Sequence, residues 1–290
     1  MRPFDYVAPT TIDEAIALLK GREAARPIAG GTDIVVQMKE SRTKFPYPQT
    51  VVSLNRVGEL QGIDFDASSG LRLGATTGLT EVAASAVVRE HYPALAESAG
   101  VVGSLQTMNM GTIGGNVCNA APSADTVPPL LIYDAEAVIV GPNGRRTVAL
   151  DGFFKGPGQT VLGPDELLAE LRLPVPASHT GAVYVRHTPR KQMDIAVVGV
   201  GVALTLDGET ITRARVALGA VAPTAIRAKA AEAVLAGQPA TDEKFARAAE
   251  EAAGECSPIS DVRGSAEFRR HLVKVWTGRL LAQAAEQAKG

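Results

Sequence analysis

Two adjacent glycines directly behind a short apolar run, in Pro27-Ile28-Ala29-Gly30-Gly31-Thr32-Asp33-Ile34, impose a sharp turn that a backbone without Cβ atoms makes most easily. Such a turn brings several N–H groups close to one anion, so a diphosphate held there needs little help from basic side chains. About eighty residues later, Gly111-Thr112-Ile113-Gly114-Gly115-Asn116 repeats the same device. Either segment alone reads first as a tight structural turn, whereas two of them converging on one ligand suit a long dinucleotide. Neither is a Rossmann fingerprint, since no GxGxxG joins a strand to a helix with an acidic ribose ligand behind it, and the Walker pattern GxxxxGK[ST] is absent.

The run Asn119-Ala120-Ala121-Pro122-Ser123-Ala124-Asp125 suits an irregular wall better than a helix interior. The Asp125 carboxylate can accept hydrogen bonds from ribityl or ribose hydroxyls, or it can cap a helix that begins at Thr126-Val127.

Around these segments the chain alternates helical and strand patterns. Thr11 and Glu14 have capping-box spacing, and Ile12, Ala15, Ile16 and Leu19 form an apolar stripe ending near Lys20-Gly21. Strands are expected at Arg26–Ala29 and Thr50–Leu54, giving a small βαβ-like unit over residues 1–58. A second α/β unit, 59–176, is expected to hold a strand at Leu71–Ala75 and helices at Leu79–Val88 and Pro93–Val101. It continues with strands at Ala135–Val140 and Thr147–Leu150 around the turn Asn143-Gly144, and ends with Leu167–Leu173. The proline-bearing stretch LPVPASHTG marks a boundary. Beyond it, strand patterns at Ala182–Arg186, Ile195–Leu206 and Arg213–Gly219, with a turn at Asp207-Gly208, precede helices at 224–236, 242–253 and 265–285, so an antiparallel sheet backed by helices is expected over 177–290.

Composition removes several classes. With 46% apolar residues in 290, the chain buries a core and is not disordered, and a net charge of -2 without a dense basic stripe excludes a nucleic-acid partner. No run reaches the roughly 18 apolar residues of a membrane span, and the start MRPFDYVAPT lacks a signal-peptide pattern, so a cytoplasmic location is expected. Two cysteines, Cys118 and Cys256, cannot ligate an all-cysteine iron-sulfur cluster, and four scattered histidines without HExxH give no metal site. Ser123 with Asp125, and His187 near Asp194, lack the ordered third member of a triad, so no catalytic residue is assigned.

The pairing of Ala29-Gly30-Gly31-Thr32-Asp33 with Thr112-Ile113-Gly114-Gly115-Asn116 resembles the FAD-binding medium subunit of the xanthine dehydrogenase and carbon monoxide dehydrogenase family. The resemblance spans nearly the whole chain. It includes Phe4-Asp5-Tyr6, Gln159-Thr160-Val161-Leu162 with Glu166-Leu167-Leu168, Arg186 followed by Asp194-Ile195-Ala196, and Pro258 to Ser265.

That resemblance implies an α+β protein: a two-subdomain FAD-binding domain of the PCMH type over 1–176 and a smaller α+β domain over 177–290. It implies that the loop from Ile28 to Ile34 holds the FAD diphosphate, that Gly111 to Asn116 lies nearer the flavin ring, and that Asp125 makes a polar cofactor contact. Val161 and Leu167 would line the site, and Arg186 would face the cofactor or its electron acceptor; a core leucine and a surface arginine are the plain alternatives for Leu167 and Arg186.

The implied work is electron transfer from [2Fe-2S] clusters to an external acceptor such as NAD, a quinone or a ferredoxin. The implied partners are a large subunit with a molybdenum-pterin cofactor and a small subunit with two [2Fe-2S] clusters, in a dimer of heterotrimers. Asn116 runs directly into Val117-Cys118-Asn119, without the four-cysteine insertion that hydroxybenzoyl-thioester reductases of this family can carry. The alternative is a self-contained FAD-dependent oxidoreductase of the same broad fold, which requires a proton donor that the C-terminal region does not offer.

Overall fold

The computed structural model describes residues 1–22, 24–40, 45–190 and 193–290. The first lobe comprises β1 (Asp5–Val7), α1 (Ile12–Lys20), β2 (Ala25–Ile28), α2 (Ile34–Lys39) and β3 (Thr50–Ser53). Its strands form a parallel sheet in the order β1-β3-β2, with the chain crossing over between successive strands as parallel pairing requires. The stripe Ile12, Ala15, Ile16 and Leu19 is buried. The helix start is capped as Thr11 and Glu14 suggest, with one shift. The Glu14 N–H donates to Thr11 Oγ1 at 3.2 Å, but the Glu14 carboxylate accepts from the N–H of Thr10, at 2.8 Å, instead of that of Thr11.

The second lobe begins with β4 (Ile63–Asp66) and β5 (Gly70–Gly74), then runs through α3 (Leu79–Ala84), α4 (Ala86–His91), α5 (Pro93–Ala99), α6 (Leu105–Met110), α7 (Ile113–Cys118) and α8 (Val127–Ile132). It continues with β6 (Glu136–Gly141), β7 (Gly144–Ala149), β8 (Phe154–Gly156), β9 (Gln159–Thr160) and β10 (Leu167–Leu173). The sheet order is β4-β5-β10-β6-β7, antiparallel at every pairing. The second α/β unit expected here has an antiparallel sheet, because α3–α8 run as one block between β5 and β6 and do not serve as crossovers between neighbouring strands. The single helix expected over Leu79–Val88 is two, since Ser85 takes an extended backbone and caps α4 through its hydroxyl, which accepts from Val88 N–H.

The two faces of β10, whose register shifts between Leu168 and Glu170, tie the lobes together. Leu168 and Leu171 enter the core of the second lobe, while Leu167 and Ala169 join Ile12, Ile16 and Val52 beneath the first.

The C-terminal part forms an antiparallel sheet, β11 (Thr180–His187), β12 (Val198–Asp207), β13 (Thr210–Gly219) and β14 (Ile226–Arg227), followed by α9 (Lys229–Leu235), α10 (Asp242–Gly254) and α11 (Ala266–Ala288). The helix expected from 224 starts only at Lys229 because Ile226–Arg227 first adds an edge strand. Both faces of this sheet are covered. Val198, Val200 and Val202 pack with α9–α11, while Ala182, Tyr184, Ala203 and Ala217 pack into the core that holds α8. That double burial explains why β12 is apolar from Val198 to Leu204, without the alternation of a half-buried strand.

Asp134, just after α8, reinforces the junction. In the left-handed region at φ 50°, it accepts from Arg215 and Arg227 at 2.9 Å and also from Arg213, so one carboxylate gathers three arginines of β13 and β14. No helix is long and apolar enough to cross a membrane among the described residues.

Candidate cofactor cavity

The loop after β2 leaves its amides unused. Leu54 N–H donates to Ile28 C=O at 2.8 Å, which closes the sheet, and the N–H groups of Ala29, Gly30, Gly31 and Thr32 have no partner among the described residues. Gly31 has φ 74°, a conformation that glycine takes without strain. Gly30 is needed for a different reason: a Cβ on it would lie 1.9 Å from the Met110 carbonyl oxygen. The two glycine segments are thus in contact, and the first can reach the second only because position 30 has no side chain.

The second loop is built differently from the first. Ile113 N–H donates to Thr77 C=O and Gly114 N–H to Ala75 C=O, both at 2.9 Å. Thr112 Oγ1 accepts from Gly115 N–H at 3.0 Å, and Thr112 C=O accepts from Asn116 N–H at 3.0 Å. A Cβ on Gly114 would stand 2.5 Å from the Ala75 oxygen. Its amides and its central glycine therefore hold the loop on the end of β5, and only the first loop has four consecutive N–H groups to offer an anion.

The loops border a cavity of about 620 Å³, within the range of small-molecule and cofactor sites. All of Ile28, Ala29, Gly30, Gly31, Thr32, Asp33 and Ile34 line it, as do Gly111, Thr112, Gly115 and Asn116. The segment between β8 and β10 closes the far wall, with Gln159, Thr160, Leu162 and Gly163 among the lining residues. Asn116 is held by Thr126, whose hydroxyl donates to its Oδ1 at 2.6 Å.

Six of the residues singled out in the sequence lie outside this lining. Ile113 is wholly buried and Gly114 is pressed onto Ala75, so both support the loop from behind. Leu167 is 2% exposed in the core under α1, because alternation along β10 points it away from the cavity. Val161 packs on the second-lobe core, its N–H donating to Phe153 C=O, and it is Leu162 that reaches the cavity.

Asp125 and Arg186 meet each other instead. Tyr184 O–H donates to Asp125 Oδ1 at 2.9 Å and Arg186 Nη1 lies 3.5 Å from Oδ2, with the Asp125 and Arg186 side chains only 8% and 4% exposed. Burial pushes the Asp125 carboxyl up to about 6, against the opposing pull of the Arg186 charge and the Tyr184 hydrogen bond. Burial, reinforced by the Asp125 charge, also raises the Tyr184 hydroxyl well above its ordinary value. The trio joins the leading end of α8 to β11, and α8 has no side-chain cap.

Several lining residues were not singled out beforehand. Arg26 is half-buried with its guanidinium 4.8 Å from the ring centroid of Phe45, and burial lowers its pKa. Gln37 lies one helical turn beyond Ile34, a spacing that places both on one face of α2 and was readable from the sequence. Cys118 also lines the cavity, and burial pushes its thiol up to about 12, so it is protonated and unreactive at neutral pH. Glu166 is bound by Arg146 through two bonds, which holds its carboxylate below the usual range. No histidine is among the described lining residues. The cavity is equipped to bind and orient a ligand with backbone amides and apolar walls.

Residues 2–176 match the family described as FAD binding domain in molybdopterin dehydrogenase, and residues 183–284 match CO dehydrogenase flavoprotein C-terminal domain. The chain is 34% identical over 286 residues to the xanthine dehydrogenase FAD-binding subunit of Escherichia coli O157:H7, covering 98% of this chain and 97% of that protein. It is 36% identical over 282 residues to the carbon monoxide dehydrogenase medium chain of Hydrogenophaga pseudoflava, covering 97% and 96%. A chain of the solved carbon monoxide dehydrogenase from Hydrogenophaga pseudoflava superposes with a TM-score of 0.93 at 36% identity over 99% of both chains. One of quinoline 2-oxidoreductase from Pseudomonas putida 86 gives 0.91 at 31% identity, over 100% of this chain and 99% of that one. With both of its parts matched in this way, the chain belongs to the FAD-binding medium subunits of the xanthine dehydrogenase and carbon monoxide dehydrogenase family of molybdenum hydroxylases.

Proposed function

We propose that this chain holds FAD in the cavity between its first two lobes and relays electrons from [2Fe-2S] clusters on a partner to an external acceptor. The observation that carries the cofactor assignment is the row of four N–H groups from Ala29 to Thr32 without a partner among the described residues, set where a Cβ at position 30 would fill the contact with Met110. Amides that line a cavity without a protein partner are free to bind an anion such as a diphosphate. The residues that would touch the cofactor are Ile28 to Ile34, Gly111, Thr112, Gly115 and Asn116, with Leu162 on the opposite wall. Ile113, Gly114 and Leu167 act behind them by fixing loop and core, and Asp125 with Arg186 fixes the FAD-binding part, 1–176, against the C-terminal part, 177–290.

FAD, once bound, supplies the exchange between one-electron and two-electron partners that this relay needs. The chain's own contribution is to orient that group and keep it in a largely apolar cavity. Substrate oxidation belongs, in this reading, to a large subunit with a molybdenum-pterin cofactor. A small subunit carries two [2Fe-2S] clusters, the assembly is a dimer of heterotrimers, and the complex works in the cytoplasm.

The test is gentle tagged purification from the native host, recording the flavin spectrum, molybdenum, iron and the masses of co-purifying chains. FAD together with a molybdenum-bearing large chain and an iron-sulfur small chain is the expected result. An isolated, catalytically competent flavoprotein without metals or partners would replace the relay with a self-contained oxidoreductase.

A further inference from the structure

Two lining side chains in the first lobe lack the partners that their chemistry demands. Arg26 lies half-buried on β2 with its guanidinium over the Phe45 ring, and no carboxylate among the described residues pairs with it. Gln37 lines the same cavity from α2, and its Oε1 is buried without a hydrogen-bond donor. A half-buried cation without an anion and a buried amide without a donor both cost stability in the empty protein. Both are placed in the lobe that carries the glycine turn after β2, so the unmet donor and acceptor needs lie on that loop's side of the cavity.

We infer that Arg26 and Gln37 form a subsite for the adenylate half of the dinucleotide, selecting FAD over flavin mononucleotide. The inference rests on the FAD reading given above and specifies which end of the ligand the first lobe recognises. An adenine edge presents an amine donor beside a ring-nitrogen acceptor, the complement of a glutamine amide. The nearby phosphate supplies the anion that the guanidinium lacks, through charge-assisted hydrogen bonds. Flavin mononucleotide has neither the base nor the second phosphate, so it leaves both groups unsatisfied.

The variants Gln37→Leu and Arg26→Ala, made in the full chain and stripped of flavin, are titrated with FAD, ADP and flavin mononucleotide, and their unliganded melting temperatures are compared with the unaltered chain. Each substitution is expected to weaken FAD and ADP by about tenfold while changing flavin mononucleotide by less than about twofold. Gln37→Leu is also expected to melt no lower than the unaltered chain, since it removes an unpaired buried oxygen while keeping volume. A merely structural Gln37 would instead lower melting and weaken all three ligands together, which overturns the proposal. If the unaltered chain and both variants bind FAD equally, the subsite is refuted and the FAD reading stands. If the unaltered chain binds ADP through these residues but takes no FAD, the subsite stands and the FAD reading falls.

Discussion

Replacing Gly30 by alanine tests the cavity at the point where its two loops touch. The new Cβ would sit 1.9 Å from the Met110 oxygen, so one loop must retreat by about 1.5 Å to reach an ordinary contact near 3.4 Å. Overpacking of this kind costs about 1–3 kcal/mol of stability. The effect on the cofactor is larger, because a hydrogen bond near 2.9 Å that is stretched by that amount ceases to exist. Losing two bonds to a charged group, at roughly 1.5–3 kcal/mol each, corresponds to at least a hundredfold weaker FAD binding. Gly31→Ala is the internal control. Its Cβ meets side chains alone, Ile28 at 3.0 Å and Val35 at 3.3 Å, and holding φ 74° costs an alanine about 1–2 kcal/mol, so a milder loss is expected. The assay is the flavin-to-protein absorbance ratio after gel filtration, with circular dichroism to verify folding. A folded Gly30→Ala protein with full FAD content, or one that retains more FAD than Gly31→Ala, would refute the reasoning.

Leu167→Ala should cost about 2–5 kcal/mol in denaturant unfolding, as expected of a core leucine, while the FAD content of the folded fraction stays unchanged; selective loss of FAD would restore Leu167 to the cavity. Asp125 has a folded-state pKa raised from 3.8 to about 6, so its contribution to stability is fully present below about pH 4 and is lost as pH rises to 6. Asp125→Asn should therefore flatten the pH dependence of Tm across that window, and an unchanged profile would show that the carboxyl does not titrate there. Asp134→Asn keeps a residue type that tolerates φ 50° but leaves three arginines around a neutral group, so a destabilisation of about 1–2 kcal/mol that shrinks with added salt is expected in thermal melts.

What was legible in the sequence was whatever a local rule controls. The stripe of α1, the whole of Leu167–Leu173 and the two hairpin turns could be read directly, since Gly144 and Gly208 adopt φ 98° and 59°, which ordinary residues avoid. The break at Ser85 was hidden because its cause, a serine turning to cap the following helix, competes on equal terms with helix continuation. The antiparallel order of the second sheet was hidden too, since it depends on β10 reaching β5 across the entire helical block. In the cavity, the glycine loop was visible through its own composition. The unequal use of amides by the two loops was not, because it is decided by Ala75 and Thr77, far from Gly114 in the chain. Which of Val161 and Leu162 faces the cavity likewise depends on the core against which Val161 rests.

The placement of β10 has a consequence for biogenesis. This strand is made last in its sheet yet lies in the middle of it, between β5 and β6. While the chain is still being synthesised, the β4–β5 and β6–β7 pairs can form as separate hairpins, but no strand pairing joins them into one sheet until Leu173 has left the ribosome. Such long-range pairing is slow and leaves strand edges open in the interval. The cavity wall from Gln159 to Glu166 is the segment that leads into β10, so the cofactor site cannot close before that insertion. With the cofactor site proposed above, FAD loads only after the second lobe is complete, and mutations that delay β10 should reduce cofactor incorporation during expression even where the mature protein binds FAD normally.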